Sequence, residues 1–402
     1  MNVTTGKRVR RLGRMCGVAV VVAALALFAA PRLAAQASTP SAQFTSFHIT
    51  SDTGTTNTQG ITVDQSGNPW FSAGTGTIGT LNRKTGALTV YNLANPNASP
   101  GTIKVDNDGN VWFTEFNVPA IAELNPHTGT VQEFVISPPN GGSEGPDFLE
   151  IDAHGNKWFN DVDFTDATGG FLGRLTPGGH MTLWAVPTAG AELEEIGLDP
   201  SGNLWFAEQA TNIVGRLNPS AGTITEYTSP TPDSRPAGIL VAPDGTVWFS
   251  EHAADKIAHL FPNLAHGVTT RVTPIEFQSG SAPTFQPGKP GQPTNPTKTK
   301  EPGTPVSTFT TTTQGFVEYH LPPTGLMKNT EDMRFDKRGN IFYENDGTAQ
   351  IGELVLATDH PFINEWTIPN GVGYYNIEFD GSGTLWISDI GSSTVYRFVL
   401  NS

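Results

Sequence analysis

Two acidic clusters carry the strongest chemical signal in this chain of 402 residues. The stretch NDVDFTDATGG (Asn160 to Gly170) holds Asp161, Asp163 and Asp166, and GAELEEIGLD (Gly190 to Asp199) brings Glu192, Glu194 and Glu195. Asp147 precedes the first and Glu208 follows the second. Carboxylates gathered in one place either hold a hard cation through their oxygens or raise one another's pKa until one serves as an acid or base near neutral pH. An all-oxygen set suits calcium or magnesium, and the shortage of histidine argues against zinc. The spacing is not that of an EF-hand, which needs a fixed loop of about twelve residues. The candidate cation ligands are therefore Asp147, Asp161, Asp163, Glu194 and Glu208. For acid–base work the candidates are His252, Glu251 directly before it, and Glu331. No G-x-S-x-G elbow and no phosphate-binding loop is present.

What must position these groups is a repeat. VDNDGNVWFTE (Val105 to Glu115) returns as VDQSGNPWFSA from Val63, IDAHGNKWFND from Ile151, LDPSGNLWFAE from Leu198, VAPDGTVWFSE from Val241, FDKRGNIFYEN from Phe335 and FDGSGTLWISD from Phe379. The glycines of these copies, Gly67, Gly109, Gly155, Gly202, Gly245, Gly339 and Gly383, lie 42, 46, 47, 43, 94 and 44 residues apart. A period in the forties, with several short strands per unit and no helical periodicity, predicts an all-β propeller. Each copy supplies four strands: a run into the Asp, a tight turn, the W-F strand, a third strand such as IAELN from Ile121, and a fourth such as TVQEFVI from Thr130. Trp70, Trp112, Trp158, Trp205, Trp248 and Trp386, with Phe342 in the seventh copy, share one position and are expected to pack between blades.

The prediction is seven four-stranded blades. The last copy lacks a fourth strand, and FTSFHI (Phe44 to Ile49) is expected to supply it from the N-terminus and close the ring. The gap of 94 is assigned to an excursion within blade five: residues 279–314 are rich in Pro, Thr and Gly and nearly devoid of large apolar side chains, so they are expected to be disordered or extended. FVEYHLP (Phe316 to Pro322) then resumes as that blade's outer strand.

If the D-x-x-G-N turns lie on the bottom face, the second strands end on top, and Glu115, Asp161, Glu208, Glu251 and Asp389 are expected to ring the upper mouth. First strands begin on that face and bring Asp147, Glu194 and Glu331 to one equivalent position, with Glu195 and Asp332 beside them. A solvated acidic rim is the plainer reading of the same residues. Of the nine histidines, His252 alone falls on that face, and His259 is expected to point outward.

Residues 1–37 carry six basic groups and no acidic one. Lys7, Arg8, Arg10, Arg11 and Arg14 precede an apolar run from Cys16 to Ala30 and a small-x-small site, Ala35 to Ala37, which is the pattern of a cleaved secretory signal. Residues 38–402 then form the exported propeller, either secreted or in the cell envelope, and expected to be monomeric. The only cysteine, Cys16, leaves with the signal, so disulfides and thiolate chemistry are excluded. The whole chain has a formal charge of −15, and without residues 1–37 it is −21. Such a surface repels nucleic acid and anionic lipid, and it favours cations.

RPAGILVAPDGTVWFSEHAADKIAHL (Arg235 to Leu260) and GLDPSGNLWFAEQATNIVGRLNPSAGTITEYTSP (Gly197 to Pro230) resemble blades of the virginiamycin B lyase (streptogramin lyase) family of seven-bladed propellers. The resemblance implies ring opening of a cyclic depsipeptide by elimination, with a histidine base and a magnesium ion held by acidic residues on one face. The family's first histidine lies in R-P-H-x-I, where this chain has Ala237, and its second in E-P-H-G-I, where Glu331 stands, with Asn329 at the acid before it. A later family glutamate falls near Asp346. Two function classes follow. One is a divalent-cation-dependent lyase or lactonase-type enzyme acting on a small cyclic ester. The other is a non-catalytic propeller that recognises a peptide, glycan or envelope partner through its acidic mouth.

Overall fold

The structure is a computed structural model that describes residues 40–401, apart from 52–53, 56–57, 74–75, 94, 96, 137–144, 162–168, 282–295, 309, 314, 323–328, 359 and 374. The expected signal segment lies outside the described residues. Seven antiparallel sheets follow one another along the chain. Their innermost strands are Thr58–Val63, Pro100–Val105, Pro146–Ile151, Leu193–Leu198, Pro236–Val241, Met333–Phe335 and Tyr375–Phe379. Each of these neighbours the next, and the seventh neighbours the first, so the sheets are the blades of a closed seven-bladed β-propeller.

The repeat residues build each blade in the same way. In the first turn Asp106 accepts the N–H groups of Asp108 and Asn110 with one carboxylate oxygen, and the indole N–H of Trp112 with the other, at 2.8 Å. Asp64, Asp152 and Asp199 repeat the indole bond to Trp70, Trp158 and Trp205. One side chain thus fixes the turn and the aromatic wedge together. That wedge meets an aromatic ring on the blade's fourth strand: Trp112 meets Phe134, Trp158 meets Trp184, Trp205 meets Tyr227 and Phe342 meets Trp366. The second aromatic, such as Phe206, lies over the third-strand Gly215, where a Cβ would come within 2.1 Å of the ring. The wedge position is therefore core, as its spacing predicts.

Closure also follows the sequence. Ser41–His48 pairs antiparallel with Thr394–Leu400 as the fourth strand of blade seven, Phe44 opposite Phe398. His259 does not simply face outward: its ring stacks on Trp248 at 3.8 Å and bonds the Thr246 hydroxyl at 2.8 Å.

Every blade keeps its four expected strands, and six blades gain a fifth on the outside; the added strands come from the segment expected to be disordered or extended and from the residues just before it. After the third strand of blade five, Val268–Arg271 pairs with the outer strand of blade four, Ile275–Gln278 with that of blade three and Gly280–Ser281 with that of blade two. Residues 282–295 lie outside the described set. Thr297–Pro302 then pairs with Ser41–His48 of blade seven, Thr304–Ser307 with blade six and Thr310–Thr313 with blade five's own fourth strand, Phe316–His320. Composition missed this because the order comes from backbone hydrogen bonds to edges already in place, which need no apolar side chains.

Candidate functional site

Innermost strands line the axis, so residues that open them face a common cup. Its volume is about 300 Å³. Asp147, Glu194 and Glu331 line it together with Phe116, Phe148 and Tyr375, and Ala237 and Gly238 contribute a wall without bulk. The equivalent placement of the three acids follows the sequence reading, and Glu195 and Asp332 also reach the cup. The aromatic lining was not anticipated, although Phe148 directly follows Asp147 on the same strand.

Burial dominates the electrostatics. It pushes Asp147 up to about 6. Burial, reinforced by Asp147 and Glu331, pushes Glu194 up to about 8. Burial and the neighbouring charges of Asp346 and Asp147 push Glu331 up to about 7. Arg235 partly offsets this at Glu194 and Glu331. It also donates to the Gln209 side chain, which in turn donates to Glu194 at 3.0 Å. His252 Nδ1 stands 3.4 Å from Glu331 Oε1. Burial and Arg235 lower the histidine's pKa, which keeps the ring neutral at neutral pH.

The acids that end the second strands are not at the mouth. Glu115, Asp161, Glu208, Glu251 and Asp389 are at most 1% exposed, and none of them lines the cup. The reason is strand alternation. Glu208 shares a face with Phe206, and the whole five-residue strand is buried, so its last side chain stays inside the sheet stack. Thr211 donates to Glu208 at 2.8 Å, and burial with the nearby Glu226 pushes its carboxyl up to about 8. Glu251 takes the Ser229 hydroxyl and lies 4.0 Å from Lys256. It is sealed from any ligand in the cup, so the structure removes it from the catalytic set. Asp161 and Glu208 likewise leave the cation set, and Asp163 lies outside the described residues. Asp147 and Glu194 remain, joined by Glu331.

As a cation site the cup is incomplete. Among the described residues no three His, Cys, Asp or Glu side chains approach closely enough to hold one ion. The carboxylates have the right chemistry for calcium or magnesium, but they do not form a preassembled coordination shell.

Below the cup, the next inward position of the first strands carries charges of both signs, which the sequence reading overlooked. Arg334 contacts Glu195 at 3.1 Å, Glu378 at 3.3 Å and Asp332, and Lys104 contacts Glu150 at 2.6 Å. Glu195 and Asp332 also accept the N–H groups of Ile239 and Ile377 in neighbouring blades, both at 2.9 Å or less. These pairs floor the cup. Lys104, Glu150, Arg334 and Glu378 each stand two residues before the turn Asp of their blade, and that common register was the available signal.

Residues 34–264 match the family described as Virginiamycin B lyase family. The chain belongs to that family. A virginiamycin B lyase from Nocardia farcinica (strain IFM 10152) is 31% identical over 197 residues, which cover 42% of this chain and 68% of that relative. A solved streptogramin B lyase shares the fold with a TM-score of 0.68 at 21% identity, over 90% of this chain and 98% of the other. A virginiamycin B lyase from Staphylococcus aureus, solved as the selenomethionine form, gives 0.66 at 23% identity, over 89% of this chain and all of its own. Glu331 and the floor residue Arg334 lie beyond the stretch that the family description matches.

Proposed function

We propose that the protein opens a small cyclic ester in the cup, with Glu331 as the base. The observation that carries this reading is the Glu331–His252 pair: a half-buried carboxylate held near neutral pKa, 3.4 Å from a neutral imidazole, beside the gap that Ala237 leaves. A base titrating near the working pH is the most effective one. In an elimination, Glu331 takes the proton from the carbon next to a carbonyl. That electron pair forms the new C=C bond as the C–O bond to the ester oxygen breaks, and a carboxylate is released. Arg235, close enough to draw down the pKa of Glu331, would meet that carboxylate. His252 flanks Glu331. A cup of about 300 Å³ is at the lower end of ligand pockets, which favours a lactone-sized ring over a large macrocycle.

The test incubates the exported form with a panel of lactones and cyclic depsipeptides and follows products by mass spectrometry. Elimination yields a ring-opened product of unchanged mass, and hydrolysis adds a water. Glu331→Gln should reduce turnover by about 10²-fold or more, as expected for loss of a general base. Ligands that bind the cup without any conversion would instead support the non-catalytic binding propeller. Turnover that survives Glu331→Gln would move the chemistry elsewhere.

A further inference from the structure

The strands added to blades four, three and two, and to blades seven, six and five, run round the outside of the propeller against the direction of the blades. They form two arcs of one excursion. The excursion departs and returns at one point, where the Phe261 N–H donates to the Gly315 carbonyl at 2.8 Å. We propose that these arcs are an outer belt that occupies six of the seven blade edges, excludes a second copy of the chain from them, and slows opening of the ring.

The edges it covers are the reason. TVQEFV, HMTLWA, TITEYT, FVEYH, FINEWT and SAQFTSFH are rich in β-branched and aromatic residues and carry at most one charged side chain each. Unpaired, such strands are templates for pairing with another molecule. The belt's own strands are also rich in β-branched residues, but they carry Arg271, Lys298, Lys300, Pro302 and Pro305. Lysine and proline on an edge discourage further pairing. Side chains fasten the belt in register: Thr269 bonds Thr225 at 2.9 Å, Ser279 donates to the Gly179 carbonyl at 2.9 Å, and Thr311 bonds His320 at 2.9 Å. Because one arc holds Ser41–His48 from outside, the N-terminal closing strand is clamped between Thr394–Leu400 and the belt. Opening at that seam then requires two ladders to part instead of one.

The experiment replaces residues 262–314 with the Pro-Ser-Ala-Gly turn that joins the equivalent strands of blade four, which leaves the blade-five hairpin intact. Sedimentation across a concentration series and unfolding kinetics in guanidinium are compared with the parent chain. The belt predicts a monomeric parent, concentration-dependent self-association of the deletion variant, and unfolding faster by about tenfold or more, since an edge ladder of several bonds is lost from the native state. A deletion variant that stays monomeric and unfolds at the parental rate would overturn the proposal. If it is not recovered folded, two full-length variants decide. Thr269→Pro with Thr270→Pro, and Thr299→Pro with Lys300→Pro, each remove at least one N–H directed at the partner strand. Faster unfolding and lost amide-exchange protection in Thr223–Thr228 and Ser41–His48 respectively support the belt, and parental behaviour in both refutes it.

Discussion

Glu115 offers a quantitative check on the buried carboxyls. It ends the second strand of blade two, is 1% exposed and has one oxygen, Oε2, without a partner. Burial, with a smaller push from Glu133, moves its carboxyl from 4.5 up to about 8. A raised carboxyl pKa means that the folded state keeps a proton which the unfolded chain releases. The associated stability is therefore fully present below about pH 4.5, is lost as pH rises, and is exhausted above about 8. At about 1.4 kcal/mol per pH unit, that interval is worth up to about 5 kcal/mol. Glu115→Gln is a neutral near-isostere. Relative to the parent, it should be within about 1 kcal/mol at pH 4.5 and more stable by several kcal/mol at pH 9. Glu208 and Glu251, at the same position in blades four and five, shift the same way, so the parent should be most stable on the acid side of neutrality. Asp152 and Asp380, whose pKa values are lowered, set the acid limit, because their contribution is lost as pH falls below their ordinary range. The assay is guanidinium unfolding of parent and variant across pH 4.5 to 9. A stability difference that does not change with pH would show that ionised Glu115 has a compensating partner and would refute the reasoning.

Three further outcomes follow from the same geometry. Trp112→Phe should cost about 2 kcal/mol in denaturant unfolding, because it removes the indole N–H that Asp106 accepts, leaving that oxygen only the longer bond from Asn110, and leaves a smaller ring under Lys157, which lies 3.5 Å above the indole. Deleting residues 38–48 should lower the melting temperature by about 10 °C or more, since it strips the fourth strand from blade seven, and an unchanged melting curve would contradict the clamped seam. Calcium or magnesium at a hundred times its dissociation constant should stabilise the protein by about 2.7 kcal/mol at pH 8 and low salt if Asp147, Glu194 and Glu331 gather round an ion. Asp147→Asn with Glu194→Gln should abolish that gain, and no shift with either ion in calorimetry would leave the cup acids to proton chemistry alone.

The fold was legible because its signals are local and repeated. The Gly turn recurs in all seven copies, mostly at intervals in the forties, and in blades one to four an Asp ties that turn to an indole, whereas blade five has Ala242 for the Asp and blade six Phe342 for the Trp. The cup was legible where it depends on strand starts, as with Asp147, Glu194 and Glu331. It was misread where burial depends on alternation. Glu115 and Glu208 stand two positions after Phe113 and Phe206, on the same face, and reading the strand end as a rim ignored that period of two. The belt was invisible for another reason. Apart from the short hairpin of Thr310–Thr313 with Phe316–His320, its partners are backbone groups on other blades, distant in sequence, so the Thr- and Pro-rich composition carries no trace of them.

The charged floor also fixes how molecules can use the cup. Arg334 with Glu195, Asp332 and Glu378, and Lys104 with Glu150, pack against the cup and leave among them a void of about 20 Å³, room for about one water. A guest larger than a water molecule therefore meets a salt-bridged floor and leaves by the doorway it entered. For a catalyst, this means that a lingering product obstructs the next arrival, so turnover should be governed by departure as much as by chemistry, and a ring-opened acid should inhibit competitively. For a receptor, it means that one guest at a time is held, end-on, with its leading group against the salt-bridged floor.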